Sequence, residues 1–393
     1  MINKKILVAG GICIDITPDL SSVPAEKFLT LLQPGKLISA KGLSVSTGCA
    51  VANVGLTLSR LGVPVRMIGK VGDDLFGMAM RDILSGEVPS AYDDLVIDSS
   101  SSTSYSIILN PPGFDRTFIH SNGANEGFYA SDIPLKALQW ADLFQFGYPS
   151  LMRSVYRADG AELVSILQKA RRAGLSTSVD FSLPDPTTPA GEVDWPLVLA
   201  NSLPLVDVFV PSVEELTFLL KRETYNRIND DPSASFIDLV TPELCFELSE
   251  QVLDYGVKIV LIKIGERGLY LRTAGPELWK RVGRGLDRLN TDWYSRELWA
   301  PAFSVEVRTT NGAGDAAIAG FLSSLVQGVD PVTALQMSAA VGAYRVEGKG
   351  QAGDLPTWEA IYERVKAGWQ TLPLDLTPYH WQLNPTNGIW QRD

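Results

Sequence analysis

Residues 309–328 read TTNGAGDAAIAGFLSSLVQG and contain the most informative pattern of the chain. Their apolar side chains recur at the spacing of a helix that ends at Gly328. Gly312-Ala313-Gly314 therefore forms a loop that opens a helix, and Asp315 falls in the first turn of that helix. The free N–H groups at a helix start attract a phosphate or a developing oxyanion, and glycine lets such an anion come close.

Asp315 gives this loop its chemistry. An acidic residue beside an anion site can accept the proton of an attacking hydroxyl, and the two features together suit phosphoryl transfer to an alcohol. The competing interpretation is structural, because an aspartate in a first turn also stabilises the helix dipole. The loop alone does not choose between these interpretations.

Outward from this loop, the chain alternates short apolar strands with amphipathic helices. The predicted strands span 5–9, 63–68, 176–181, 206–210, 258–264 and 303–307, and the predicted helices span 50–61, 162–173, 212 onward and 241–256. Such alternation with short links predicts an α/β fold with a central, mostly parallel sheet flanked by helices on both faces. Ligands of such sheets bind at the carboxyl ends of the strands.

Other parts of the chain break this rhythm. Residues 36–45 and 103–120 lack helical patterning and predict strands of a small sheet that projects from the core. Residues 273–301 predict an irregular insertion between strands. The last residues are rich in Pro, Trp and Asn without a helical period, so we divide the chain into a domain at 1–371 and an extended tail at 372–393.

Composition limits the partners of the chain. It has 393 residues, 45% of them hydrophobic, which is enough for a large core. Its formal net charge of −11 argues against broad contact with nucleic acid or an anionic membrane. Two histidines and three separated cysteines (Cys13, Cys49 and Cys245) argue against a zinc site and a disulfide framework. No apolar run approaches the roughly 20 residues of a membrane span, and the N-terminal run is typical of a first strand, so we expect a protein of the reducing cytoplasm.

Several ordered motifs resemble those of the ribokinase-like PfkB family. Residues 309–322 resemble its signature written around D-T-x-G-A-G-D, which carries the strongest likeness. The others are GGICID (10–15), GCAVANVGLTLSRLG (48–62), IGKVGDDLFG (68–77) and GAN (123–125). The resemblance covers roughly residues 4–360. It implies a ribokinase-like α/β fold with a small β lid over the sugar, built from strands near 12–18, 36–47 and 100–121.

The resemblance also implies roles for individual residues. Asp315 would be the catalytic base, and the amides of Gly312, Ala313 and Gly314 would form the anion hole. The residues implied to hold the acceptor are Asp15, Gly48, Asn53 and Asn125. A carboxylate and an amide can together accept from and donate to the hydroxyls of a polyol. Without the resemblance, Asp15 is a turn residue at a strand end and Asn53 is a helix cap.

The nucleotide side has no Walker loop, because no GxxxxGK[ST] motif occurs. KIGERG (263–268) resembles the family's nucleotide turn, which implies contacts to ATP from Lys263, Gly265 and Gly268. Ala339 lies in the helix that corresponds to the family's adenine wall. A simple turn from a strand into a hairpin would explain these glycines equally well.

Glu215 is implied to organise Mg²⁺ through water. It ends the run Ser212-Val213-Glu214-Glu215, which stands where the family has N-x-x-E. S-x-x-E at a helix start is also a capping box, which explains this spacing without a metal.

Some residues depart from the family pattern. Thr309 replaces the first Asp of the signature, which in many relatives helps to build a monovalent-cation site, so potassium dependence stays open. Cys49 replaces a common second glycine, which would narrow the sugar pocket. A phosphorylated acceptor also stays open, because three basic residues lie in or near motifs that face the pocket in relatives: Arg66, Lys70 and Arg116.

These observations predict a cytoplasmic sugar kinase that uses Mg·ATP, with a homodimer through the lid as the family's further suggestion. A nucleoside kinase on the same scaffold is the nearest alternative, and it would need an apolar slot for the base. An alternative of another class is a catalytically silent sugar- or nucleotide-binding protein. The alternative of a dinucleotide-binding oxidoreductase is suggested only by Gly10-Gly11, and the full GxGxxG motif is missing there.

Overall fold

A computed structural model of the chain describes residues 4–113, 117–231, 234–348 and 355–392. The strands in these ranges are β1 (Ile6–Gly10), β2 (Cys13–Pro18), β3 (Leu43–Gly48), β4 (Val65–Ile68), β5 (Lys70–Gly72), β6 (Val96–Asp98), β7 (Tyr105–Leu109), β8 (Thr117–Ser121), β9 (Leu143–Gly147), β10 (Ser176–Asp180), β11 (Val208–Phe209), β12 (Ile259–Lys263), β13 (Leu269–Thr273), β14 (Glu297–Ala300), β15 (Gln382–Leu383) and β16 (Trp390–Gln391). The helices are α1 (Ala25–Leu31), α2 (Cys49–Arg60), α3 (Leu75–Glu87), α4 (Ala91–Asp94), α5 (Leu135–Trp140), α6 (Arg153–Arg172), α7 (Trp195–Ser202), α8 (Val213–Leu220), α9 (Arg222–Asn229), α10 (Pro242–Asp254), α11 (Ala313–Gln327), α12 (Pro331–Glu347) and α13 (Trp358–Lys366). Every helix in the described ranges is too short or too polar to cross a membrane.

The central sheet has the strand order β15-β16-β14-β13-β12-β11-β10-β9-β1-β4. The strands from β12 to β4 pair in parallel, whereas β13, β14, β16 and β15 pair antiparallel at the other end. All five residues of β1 are buried, because helices cover both faces of a parallel sheet. The predicted central sheet with helices on both faces is confirmed.

Two apolar layers enclose this sheet, and β1 shows how they divide. Ile6 and Val8 pack in one layer with α2, α11 and α12, whereas Leu7 and Ala9 pack in the other with α6, α8 and α10. Successive side chains of a strand point to opposite faces, so one strand serves both layers. α11 is buried along almost its whole length, and this packing fixes the start of the helix near the carboxyl ends of the parallel strands.

A second sheet forms the lid, with the order β3-β2-β7-β8. Its register places four polar residues in one row across the strands: Ser46, Asp15, Ser106 and His120. The predicted strands near 12–18 and 100–121 occur, but the predicted strand at 36–47 begins only at Leu43. β5 and β6 pair separately in parallel.

Two predictions at the antiparallel end of the sheet are wrong. The irregular insertion at 273–301 ends in a regular strand, β14, and residues 303–307 form no strand beyond an isolated bridge from Phe303 to Thr371. The physical reason is that β16, from the tail, pairs with the free edge of β14 through Trp299 and Trp390. No edge is left there for residues 303–307.

Candidate active site

A cavity of about 1380 Å³ lies at the carboxyl ends of the parallel strands, under the polar row of the lid. Small-molecule sites are commonly smaller than ~1,000 Å³, so this cavity has room for two ligands side by side. Most of the predicted site residues line it: Asp15, Asn53, Glu215, Lys263, Gly265, Gly268, Gly312, Ala313, Gly314, Asp315 and Ala339. Gly48 and Asn125 do not.

Asp315 lies at the bottom of this cavity and is 4% exposed. Its Oδ2 accepts a hydrogen bond from Asn53 Nδ2 at 2.8 Å, and its Oδ1 accepts one from Tyr148 Oη at 2.8 Å. α2 supplies Asn53 and the end of β9 supplies Tyr148. Three separate elements therefore fix the orientation of one carboxylate.

Opposing influences act on the pKa of Asp315. Burial, the largest of them, raises this pKa above its ordinary value. The hydrogen bond from Asn53, the positive charge of Lys263, the hydrogen bond from Tyr148 and the charge of Arg345 lower it. The net shift is upward, so the ionised carboxylate is a better proton acceptor than an exposed aspartate.

The loop before Asp315 presents free backbone amides to the cavity. Gly312 has φ of +73°, in the left-handed region that favours glycine. The N–H of Ala313 donates to Thr310 O at 3.3 Å. The structure therefore leaves only the N–H groups of Gly312 and Gly314, of the three predicted ones, without a backbone acceptor in the described chain. A Cβ at Gly314 would lie 3.5 Å from Lys263 Cε, an ordinary van der Waals distance, so Gly314 and the Lys263 side chain are neighbours in the cavity wall.

Asp15 lies at the root of the lid and faces the cavity while being 7% exposed. Its carboxylate accepts long contacts from Cys13 Sγ at 3.4 Å and Asn311 Nδ2 at 3.5 Å. Burial raises the pKa of Asp15. Gly48 makes room for this side chain, because a Cβ at Gly48 would lie 2.5 Å from Asp15 Oδ2.

Two residues predicted to bind the acceptor are engaged with the protein itself. Asn125 is fully buried, and its side chain exchanges two hydrogen bonds with the backbone of Ile12, at 2.9 and 3.3 Å. It therefore holds the chain between β1 and β2 and does not reach the cavity. Asn53 does reach the cavity, but its amide donates to Asp315.

Two of the basic residues that left a phosphorylated acceptor open, Arg66 and Lys70, do not line the cavity either. Arg66 pairs with Asp94, and Lys70 pairs with Asp132 at 2.8 Å. Arg116 lies outside the described residues. The structure thus gives Arg66 and Lys70 partners within the protein and no access to a ligand in this cavity.

The predicted nucleotide turn also lines the cavity, through Lys263, Gly265 and Gly268. Lys263 Nζ donates to Val210 O at 2.7 Å, so this side chain, at the end of β12, reaches the residue that follows β11. Gly268 has φ of +91°, and a Cβ there would lie 2.0 Å from Ala300 O. Ala339 on α12 lines the wall beside two other small residues, which leaves a flat surface: Gly342 and Ala343.

Glu215 both caps a helix and faces the cavity. Its Oε2 accepts from Ser212 N at 2.6 Å and its own N–H donates to Ser212 Oγ at 3.1 Å, which is the predicted capping box. Burial raises the pKa of Glu215. Among the described residues, no group of three or more His, Cys, Asp or Glu side chains is arranged to hold a metal ion. A metal bound here would depend mainly on ligand oxygens and water, as Mg²⁺ often does.

The sequence interpretation missed two residues beside Asp315. Tyr148 has φ of +62°, a strained conformation for a residue with a large side chain, and only this backbone directs its phenol to Asp315. Asp180 ends β10, is fully buried, and accepts from Gln145 Nε2 at 2.6 Å. The signal available for both was their position directly after or at the end of a buried strand, where ligands of such sheets bind.

Comparison with solved structures defines the fold. The ribokinase of Arabidopsis thaliana, complexed with ribose and ATP, superposes with a TM-score of 0.65 at 18% identity, covering 92% of this chain and 98% of that one. A putative ribokinase II from E. coli, in complex with ATP and Mg²⁺, gives 0.63 at 22% identity, covering 93% and 99%. The chain has the ribokinase fold, as the sequence predicted.

The family follows from sequence comparison. The profile of the pfkB family carbohydrate kinases matches residues 3–358, so the chain belongs to that family and is a sugar kinase. A probable chloroplastic fructokinase-6 of Arabidopsis thaliana is 26% identical over 372 residues, which cover 92% of this chain and 83% of that protein. A deoxyribokinase of Salmonella typhi is 24% identical over 363 residues, covering 91% and 97%. The predicted family is confirmed, and the oxidoreductase alternative is dropped.

Proposed function

We propose that this sugar kinase transfers the γ-phosphoryl group of ATP to a primary hydroxyl of a sugar, with Asp315 as the base. The observation that carries the proposal is the buried carboxylate of Asp315 beside the unoccupied amides of Gly312 and Gly314, in a cavity with room for two ligands. Proton acceptor and anion site lie one residue apart on the same helix start, as transfer to an alcohol requires.

In this mechanism the acceptor hydroxyl gives its proton to a carboxylate oxygen of Asp315. The hydroxyl oxygen bonds to the γ-phosphorus as the bond from that phosphorus to the bridging oxygen breaks, and ADP leaves with the electron pair of that bond. The amides of Gly312 and Gly314 donate hydrogen bonds to the negative charge that develops. Preorganised donors of this kind lower the barrier because they need no rearrangement during the reaction.

The two ligands would occupy opposite halves of the cavity. Asp15 and the polar row of the lid face one half and offer acceptors and donors to the hydroxyls of a sugar. Lys263, the glycine turn after β12 and the small residues near Ala339 face the other half, which suits phosphates and a flat base. The lid would exclude water, which otherwise competes for the phosphoryl group.

ATP and Mg²⁺ are proposed from relatives with the same fold, one of which was solved with ribose and ATP and another with ATP and Mg²⁺. Mg²⁺ would offset the charge of the phosphates. Glu215 and Glu214 line the nucleotide half and could reach such an ion through water, and burial raises the pKa of both. Among the described residues, the absence of a dense carboxylate cluster fits an ion held mostly by phosphate oxygens and water.

The acceptor is best found with an enzyme-linked assay of ADP release. The panel would contain pentoses, hexoses, keto-acid sugars, nucleosides and sugar phosphates, each with Mg·ATP. We expect turnover with an unphosphorylated sugar, because Arg66 and Lys70 pair within the protein. The sugar phosphates in the panel test whether Arg153, which does line the cavity, binds a phosphoryl group of the acceptor. Turnover only with a nucleoside would show that the acceptor is a nucleoside and not a sugar. If no acceptor in the panel led to release of ADP, the proposed function would be contradicted.

A further inference from the structure

Arg345 lies behind the loop that carries the free amides. It belongs to the last turn of α12, and its Nε donates to Asn311 O at 2.9 Å. Its Nη2 lies 3.2 Å from the position that a Cβ of Gly312 would occupy, yet Arg345 does not line the cavity. The next residue also holds the loop, since Val346 O accepts from the N–H groups of Arg308 and Thr309 at 3.0 and 3.3 Å.

The charge of Arg345 has no direct counter-ion in the described part of the chain. No carboxylate oxygen there lies within 4.0 Å of its nitrogens, in contrast to Arg364, which pairs with Glu347 at 2.7 Å. Burial lowers the pKa of Arg345, whereas the negative charges of Asp315 and Asp15 raise it from a longer distance. A guanidinium keeps its proton under such conditions, so this is a permanent positive charge between two acidic residues of the site.

Thr309 contributes to this arrangement because its side chain carries no negative charge. Its hydroxyl accepts from Asn311 N at 3.2 Å, so it closes the turn without adding a negative charge. A carboxylate at this position would compete for the guanidinium and neutralise it. The loop therefore combines a neutral residue at 309 with a fixed cation at 345, and the cation acts on the loop at short range.

We propose that Arg345 is a positioning residue for phosphoryl transfer. Its guanidinium holds the carbonyl of Asn311 and places a fixed positive charge behind the Gly312 and Gly314 amides, so the loop needs no monovalent cation from solution. The inference rests on the proposed function. Because negative charge develops at these amides during transfer, a cation in a partly buried setting stabilises the transition state more than the bound substrates.

The test compares the wild type with Arg345→Lys and Arg345→Met in potassium, sodium and tetramethylammonium salts at equal ionic strength. The wild type should keep its kcat within about twofold in all three salts. Arg345→Met should lose about 10²-fold in kcat, the size of losing one donor of an oxyanion site, with a much smaller change in KM for either substrate. Guanidinium chloride at millimolar concentration should restore part of that loss, and Arg345→Lys should keep intermediate activity.

Arg364→Met is the matched control, because it removes an ion pair next to the same end of α12 without touching the loop. It should lower the melting temperature but leave kcat unchanged, with no rescue by guanidinium. A wild type that loses its turnover without potassium would overturn the inference, and so would wild-type kcat in Arg345→Met. The salt series uses the wild type alone, so it decides even where a variant folds poorly. A wild type inactive on every acceptor would instead refute the proposed function.

Discussion

At the residue scale, the carboxylate of Asp315 accepts hydrogen bonds from two residues, and no single sequence motif contains both of them. Tyr148 adopts a left-handed backbone conformation in order to donate to Oδ1, and Asn53 donates to Oδ2 from another helix. Strained conformations of this kind cost about 1–3 kcal/mol and persist where the surroundings enforce them. The tyrosine therefore belongs to the candidate site, although the sequence analysis did not name it.

Tyr148→Phe should move the acid limb of the pH profile of kcat/KM to higher pH. A hydrogen bond to a carboxylate favours its ionised form, so its loss raises the pKa of Asp315 beyond the increase that burial already causes. Lys263 and Arg345 still favour the ionised form in both proteins. The measurement is kcat/KM for the acceptor between about pH 5 and pH 9.

Tyr270→Phe is the control for this change. Tyr270 is a residue of β13, and its hydroxyl donates to Glu297 Oε1 at 3.0 Å. Its side chain does not line the cavity. The acid limb of the control should coincide with that of the wild type. A Tyr148→Phe profile that stays in place or moves to lower pH would remove Tyr148 from the site.

At the element scale, the helix starts and strand ends of the fold could be predicted, and the contacts between them only partly. The loop that opens α11 and the capping box of α8 followed from local patterns, whereas the position of Asp15 in a lid strand followed from the family resemblance. The two hydrogen bonds between Asn125 and Ile12 and the ion pair of Arg66 with Asp94 could not be predicted, because partners that are distant in sequence leave no local pattern. The sequence therefore predicted which residues line the cavity better than it predicted their partners.

Gly48→Ala should weaken binding of the acceptor without affecting ATP. Gly48 has φ of −137°, which any residue adopts, so the effect is steric: the new Cβ would lie 2.5 Å from Asp15 Oδ2. Displacing that carboxylate should raise KM for the acceptor on the order of tenfold, equivalent to about 1.4 kcal/mol. Steady-state kinetics with each substrate varied in turn measure this split.

Gly86→Ala on α3 is the matched substitution for comparison. A Cβ at Gly86 meets no atom within 4 Å, so both KM values should stay at those of the wild type. An unchanged acceptor KM in Gly48→Ala, or an equal rise for both substrates, would contradict the placement of Asp15 at the acceptor.

At the scale of the whole molecule, distant parts of the chain complete the sheets. The pairing of β16 with β14 brings the tail to the edge of the central sheet, and the sequence could not predict this because residues 303–307 have the better strand pattern. The lid is likewise assembled from three separate segments, in an order that only the structure gives. Alternation of strands and helices predicts the fold class, whereas the filling of edges depends on competition between segments.

The outer face of the lid is the surface for which we propose a homodimer. The register places an apolar row across its four strands: Val45, Ile16, Ile107 and Ile119. Val45 and Ile119, at the ends of this row, are 45% and 52% exposed. Contiguous apolar surface of this kind is typical of association sites.

Val45→Asp combined with Ile119→Asp should convert a dimer into a monomer, as measured by sedimentation equilibrium. Two carboxylates in an apolar contact would lose hydration without gaining partners. Leu135→Asp, at an exposed leucine on α5, should leave the association unchanged. A monomeric wild type would refute the proposed dimer.

The central claim is that Asp315 takes the proton of the acceptor, and the turnover of Asp315→Asn tests it most directly. The amide keeps the shape of the side chain, and its oxygen can still accept the hydrogen bond from Tyr148. It cannot take the proton of the acceptor hydroxyl. With ATP affinity measured separately by calorimetry, we expect ATP binding within a few-fold of the wild type and a kcat lower by about 10²-fold or more. A variant that binds ATP and turns over at nearly the wild-type rate would contradict the account.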